Sequence, residues 1–183
     1  MARHAPEILT KEEVDALMDV VREESRYYYV LFSVAKFTGR RLGEIYGLKV
    51  MDVDFENKTL KTLIFKRKQR VVKEAVMIDQ LAFILNKWIN YKKLKLTDYL
   101  FHEDSVRTIQ NKIKKFAKMA GIKKNVTFHN FRHHFITQLE KKGWTAHQII
   151  QLTGHSNIGG LAPYSHMVLQ DVKEEALKTL KDL

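Results

Sequence analysis

Residues 60 to 78 decide the fold class: Leu60-Lys61-Thr62-Leu63-Ile64-Phe65, then Lys66-Arg67-Lys68-Gln69-Arg70, then Val71-Val72-Lys73-Glu74-Ala75-Val76-Met77-Ile78. Two β-favouring runs flank a polar stretch, which predicts a hairpin with a basic tip, paired to a strand near Val50 to Phe55. On either side the chain reads as helix. Thr10 and Glu13 form a capping box ahead of Val14, Leu17, Met18 and Val21, whose i, i+3, i+4, i+7 spacing marks an amphipathic helix. Tyr27 to Phe37 is a mostly apolar run long enough for a buried helix and is broken at Gly39; a short helix follows from Arg41 to Leu48. After the hairpin, Asp79 is expected to cap a helix carrying Leu81, Ile84, Leu85, Trp88 and Ile89, and Ser105 one carrying Ile109, Ile113, Phe116 and Ala117 before Gly121. Thr127 caps Phe128 to Lys142, with Phe128, Phe131, Phe135 and Leu139 on one face and Gly143 as the stop. Thr145 opens a short helix ending at Gly154, and a tail helix runs from about Asp171 with Val172, Ala176, Leu177 and Leu180 as its apolar stripe. The fold class is therefore α+β: mainly α-helical with a small antiparallel β-sheet, in one domain spanning residues 1–183.

Composition narrows the function. With 183 residues, 45% of them hydrophobic, the chain can bury a core without a metal or disulfide to hold it. The absence of cysteine excludes a disulfide scaffold, a thiolate zinc site and a cysteine nucleophile, and fits a reducing interior. The longest apolar runs fall far short of the roughly 20 residues a membrane span needs, and no signal-peptide segment opens the chain. No membrane association is expected. Lys and Arg number 32 against 21 Asp and Glu, a net charge of +11, so the partners are anionic and nucleic acid leads them.

Specific chemistry is concentrated in a few places. His129 and Arg132 stand three apart on one helix and project side by side, a pairing suited to an anion. His129 and His133 have the i, i+4 spacing of two zinc ligands, but the metalloprotease pattern requires Glu after the first His and this chain has Asn130. No metal site is expected. Between His155 and Tyr164 lies a stretch containing Gly159 and Gly160, a loop that can carry a nucleophile.

Taken in order, these pieces resemble the catalytic domain of the tyrosine recombinase (phage integrase) family. Its signature is T-G-x-R-x-x-E, a hairpin lysine, H-x-x-R, then G-H followed nine residues later by Tyr. Here the parts are Thr38-Gly39-Arg40-Arg41-Leu42-Gly43-Glu44, Lys66, His129-Asn130-Phe131-Arg132, Gly154-His155 and Tyr164. Leu48, Asp52, His133, Phe135 and His166 agree in the flanks. The spacing to Gly39 and Glu44 selects Arg41 over Arg40 as the functional arginine; Lys66 best matches the hairpin offset, with Lys68 next. Departures are Thr153 in place of the usual Leu, a second hairpin strand without its usual Pro, and Gly159-Gly160 where small hydroxyl residues are common.

The resemblance implies a site-specific recombinase or integrase. Tyr164 would be the nucleophile that forms a 3′-phosphotyrosyl link, and Arg41 and Arg132 would clamp the phosphate oxygens. Lys66 would protonate the leaving 5′-oxygen, His129 would take or hold the tyrosine proton, and His155 would hydrogen-bond the phosphate. Glu44 would orient Arg41. Arg40, Arg67, Lys68 and Arg70 are expected to grip DNA. No cofactor is implied. The partner is double-stranded DNA, with a homotetramer on DNA, a monomer or weak oligomer without it, and a cytoplasmic, nucleoid-associated location. The family's DNA-clamping domain is expected to be absent, because only a few residues precede Thr10. The alternatives are a type IB topoisomerase-like relaxase and a catalytically silent DNA-binding protein of the same fold; a metal-dependent nuclease is disfavoured by the lack of a carboxylate cluster.

Overall fold

The computed structural model describes residues 8–66, 69–153, 173 and 176–182, with the backbone alone described at 64–66, 69, 70 and 182. The elements in chain order are α1 (Lys11–Glu24), α2 (Arg26–Thr38), α3 (Leu42–Tyr46), a 3₁₀ turn (Val50–Asp52), β1 (Val53–Asp54), β2 (Thr59–Lys66), β3 (Gln69–Val76), α4 (Asp79–Lys92), α5 (Val106–Met119), α6 (Phe128–Lys141), α7 (Ala146–Thr153) and a final 3₁₀ turn (Leu180–Asp182).

Helix α2 is the axis. It is buried on nearly every side, as its mostly apolar sequence requires, and α1, α4, α6 and α3 pack around it. Phe32 sits at its middle, fully buried, with the rings of Phe128, Phe131 and Phe116 edge-on at 5.1, 5.7 and 6.1 Å. Aromatic pairs in this geometry add about 0.5–1.5 kcal/mol each beyond the area they bury. The expected face Phe128, Phe131, Phe135 and Leu139 is the one α6 turns to this core. The capping box at Thr10 is present: its hydroxyl accepts from Glu13 N–H at 3.2 Å and its own N–H donates to Glu13 Oε2 at 2.8 Å.

The sheet is antiparallel in the order β1-β2-β3, with Val53 opposite Leu60 and β2 and β3 paired from Thr59↔Val76 to Lys66↔Gln69. Leu60, Thr62, Ala75 and Val76 are buried, whereas Leu63 and its partner Val72 face solvent. The hairpin is thus seated by its root, where α3 meets β2 and α7 meets β3, and its outer half projects from the body.

Three expectations are corrected. The third strand is only Val53–Asp54, because residues just before it turn into a 3₁₀ helix when Asp52 Oδ2 accepts from Lys49 N–H at 2.8 Å. Val50 and Met51 then donate to the carbonyls of Asp98 and Leu96 instead of to β2. Asp79 is the first residue of α4 rather than its cap; Ile78 holds the cap position, and the Asp79 carboxylate pairs with Lys58 at 2.7 Å. The polar stretch Lys66–Arg70 is not all tip, since the ladder continues to Lys66 and Gln69. In the tail, Ala176 and Leu180 are buried, and Trp144 Nε1 and Lys142 Nζ donate to the hydroxyl and carbonyl of Thr179 at 3.3 and 3.1 Å. The described part of the tail therefore packs on its own domain; Asp171 and Val172 lie outside the described residues.

Candidate active site

Helix α2 ends because Gly39 takes a left-handed conformation (φ 61°), and a Cβ there would meet Phe135 Cδ1 at 2.7 Å. Both constraints call for glycine. The reversal places Arg40 and Arg41 on opposite sides of the backbone. Arg41 caps α3: its N–H donates to Glu44 Oε2 at 3.2 Å, and its Nη1 donates to Glu44 Oε1 at 3.0 Å. The Glu44 side chain is 7% exposed and that of Arg41 41%, so a buried carboxylate holds a guanidinium that faces outward.

Arg132 approaches from α6. The first turn of that helix is set by Asn130, whose Oδ1 accepts from both the N–H and the hydroxyl of Thr127 at 2.7 and 2.8 Å. With Phe128, Phe131 and Phe135 in the core, Arg132 is drawn inward and buried, and its Nη1 donates to the carbonyls of Gly39 and Thr153 at 2.7 and 3.1 Å. Burial first, then the charge of Arg41, pushes its pKa down to about 10, with Glu44 acting the other way. It remains a cation at working pH. His129 lies exposed one turn earlier, and the pKa of His133 is lowered by burial and by the charges of His129 and Arg132.

Arg40 is a correction. It was expected on DNA, yet it is 1% exposed, with Nη1 donating to the Thr153 carbonyl at 3.3 Å and Nη2 to the Glu74 carbonyl. A guanidinium enclosed in this way cannot reach a phosphate. Its Nε has no partner among the described residues, and burial pushes its pKa down to about 10, with Glu44 raising it and Arg41 lowering it further.

Three guanidiniums therefore gather around one carboxylate, which leaves the cluster net positive, with Arg41 as its solvent-facing member. Such a cluster is complementary to a phosphate. Lys66 ends β2 opposite Gln69, and Arg70 lies opposite Phe65, as backbone positions. The side chains of Lys66 and Arg70 and all of Arg67, Lys68, His155 and Tyr164 lie outside the described residues. The end of α7, Thr153, is nevertheless in the cluster and immediately precedes Gly154-His155 in the chain. A cavity of about 310 Å³ beside His129 is lined by Leu42, Gln110, Lys114 and Thr127. A larger one, about 720 Å³, lies at the other end of α2 among Arg22, Arg26, Tyr29 and Trp88, away from this chemistry. Among the described residues no group of three or more His, Asp or Glu is placed to hold a metal ion, and no helix is long and apolar enough to cross a membrane.

The family model described as phage integrase family matches residues 7–170. The chain belongs to the phage integrase family. A tyrosine recombinase of Pseudothermotoga lettingae is 31% identical over 187 residues, covering 98% of this chain and 63% of the relative. A XerA recombinase crystal structure superposes with a TM-score of 0.75 at 26% identity, covering 97% of this chain and 65% of that one. The XerH site-specific recombinase bound to difH substrate, at 20% identity, shares the fold with a TM-score of 0.71, covering 91% of this chain and 52% of that one. The chain thus spans less than two thirds of the length of these family members. Its fold is that of the integrase catalytic domain, mainly helical with a small antiparallel sheet.

Sequence reasoning gave Arg40 the wrong role and missed the Thr153 carbonyl. Arg40 was hidden because adjacency to Arg41 says nothing about which of the two turns inward. The Thr153 carbonyl is backbone, so no side-chain pattern reports it; the only signal was the departure from Leu at that position.

Proposed function

We propose that this integrase-family chain cleaves and rejoins double-stranded DNA as a site-specific recombinase, through a covalent 3′-phosphotyrosyl intermediate. The observation that carries the reading is the convergence of Arg41, Arg132 and Glu44 with the α7 end that leads directly into Gly154-His155. The phenolic oxygen of Tyr164 attacks the scissile phosphorus as the bond to the 5′-oxygen breaks. The phenol proton passes to His129, and the departing oxygen takes a proton from the Lys66 ammonium, with Lys68 the next candidate. One phosphodiester is exchanged for another, so attack by a second strand's 5′-hydroxyl reverses the step without a nucleotide or metal.

Arg41 and Arg132 bind the non-bridging oxygens, and His155 adds a hydrogen bond. Glu44 holds the Arg41 fork, while two carbonyls on Arg132 Nη1 fix its plane. Arg67, Lys68 and Arg70 grip backbone phosphates and make binding salt-dependent. The working form is a homotetramer on DNA, monomeric or weakly associated without it, located in the cytoplasm with the nucleoid.

The test is a nicked suicide duplex incubated with wild type and Tyr164→Phe in buffer containing EDTA, with DNA occupancy read by gel shift. An SDS-resistant adduct forms only with wild type. An adduct that survives Tyr164→Phe, or that needs a divalent ion, sinks the reading. Strand exchange between two duplexes, as opposed to relaxation of one, separates a recombinase from a topoisomerase.

A further inference from the structure

Among the described residues, Arg40 is the one strongly buried cation in this region that the cleavage chemistry does not use. Its two terminal nitrogens bond to carbonyls of different segments: Glu74, 34 residues on in β3 at the root of the hairpin, and Thr153, 113 residues on at the end of α7. Arg132 Nη1 donates to the same Thr153 carbonyl and also to the carbonyl of Gly39, the residue before Arg40. A closed ring of bonds results: Gly39 carbonyl, Arg132, Thr153 carbonyl, Arg40. The near end of the ring is fixed in turn, because the Arg40 N–H donates to Thr38 Oγ1 at 3.3 Å and that hydroxyl donates to the Val34 carbonyl at 2.6 Å.

A side chain needed only to fill this space would be apolar. Burying a guanidinium is costly, and replacing such a charge with a well-packed apolar group is often neutral or stabilising. Arg40 is nevertheless buried beside two other cations, with an unpartnered Nε among the described residues. What the fork supplies, and an apolar group does not, is a fixed relation between the hairpin root and the α7 end. The hairpin is anchored at its root and solvent-exposed farther out at Leu63 and Val72, so an angular error at Glu74 grows toward Lys66.

We propose that Arg40 is a positioning residue for strand cleavage: it locks the root of the β2–β3 hairpin to the end of α7 and so sets the hairpin lysine against the leaving oxygen. This rests on the recombinase reading above. Misplacing a catalytic group by about 1 Å can cost on the order of 10²-fold in rate.

The experiment uses the whole chain with Arg40→Met and with Arg40→Lys, which keeps the charge but has one nitrogen for two carbonyls. Each is incubated under single-turnover conditions with a nicked suicide duplex whose scissile 5′-bridging atom is oxygen or sulfur. A thiolate leaves without a proton and bypasses the hairpin lysine. Both variants should bind DNA as wild type does and form adduct roughly 10- to 100-fold more slowly on oxygen, while staying within about threefold of wild type on sulfur. A wild-type rate on oxygen in either variant, or an equal fall on both substrates, overturns the proposal. If one variant fails to fold the other decides, and failure of both assigns Arg40 to stability alone, which also overturns it. A wild-type chain that forms no adduct on either substrate overturns the recombinase reading with it; a wild-type adduct with unslowed variants overturns only the positioning role.

Discussion

At its N-terminal end α2 inserts Tyr27 and Tyr28 among rings, with Phe101 at 6.3 Å from Tyr27 and Phe116 at 5.3 Å from Tyr28. Each hydroxyl has one acceptor: the Phe101 carbonyl at 3.2 Å and Asp104 Oδ2 at 2.5 Å. At its C-terminal end the same helix stops at Gly39 and delivers two arginines beside a third. The first end packs rings together and gives each tyrosine hydroxyl an acceptor. The second keeps like charges together and buries two of them against carbonyls. One end contributes stability; the other uses part of it to hold three like charges together around Glu44.

If that division holds, mutations at the two places should separate stability from chemistry. Phe101→Ala empties a fully buried site against Tyr27 and should cost about 3–5 kcal/mol in urea unfolding. The rate of adduct formation per folded molecule should stay at the wild-type level. A comparable loss of rate in the folded fraction would show that the two ends are not separable.

Arg132→Met is the converse. On the proposed mechanism it removes a phosphate ligand, so cleavage should fall about 10²- to 10³-fold in the suicide-substrate assay. Stability should move by no more than about 2 kcal/mol, because two carbonyls lose a donor worth about 1 kcal/mol each while the burial cost of a cation disappears. A large drop in unfolding free energy would mean that the charged end also carries the fold.

The same contrast explains what could be read from the sequence. The helices with apolar stripes, the Thr10 and Ser105 caps and the hairpin followed from local spacing and propensity, and the structure has them. The pairing of Arg41 with Glu44 was an expectation of the family resemblance, and the two side chains are in contact at 3.0 Å. Features decided by distant segments were not legible. Arg40 turns inward because of carbonyls far along the chain, and β1 is cut short because Leu96 and Asp98 take its neighbours' N–H groups. Asp79 is the first residue of α4, with Ile78 at the cap position, and its carboxylate pairs with Lys58 across the sheet connection. Local chemistry announces itself in sequence; convergence of remote backbone does not.

The finest test of the comparison is pH, since the two ends should fail in opposite directions. Burial pushes the Tyr27 phenol up to about 12 and raises that of Tyr28 as well, the latter with help from its bond to Asp104. A folded pKa above the unfolded one favours the native state below about pH 10, and that contribution is lost as pH rises from about 10 through about 12. For Tyr27 the upper bound is about 3 kcal/mol. Tyr27→Phe should flatten the alkaline limb of the urea midpoint against pH. At the other end His133 has a lowered pKa, from burial and then from the charges of His129 and Arg132. A folded pKa below the unfolded one favours the native state above about pH 6.5, and that contribution is lost as pH falls through the folded value. His134, bonded to the Leu9 carbonyl at 3.0 Å and shifted in the same direction by burial, adds to the same limb. His133→Gln should therefore reduce the acid slope without abolishing it and leave the alkaline limb untouched. An alkaline limb that moved with His133, or an acid limb that moved with Tyr27, would mean that α2 transmits charge between its ends and that they act as one site.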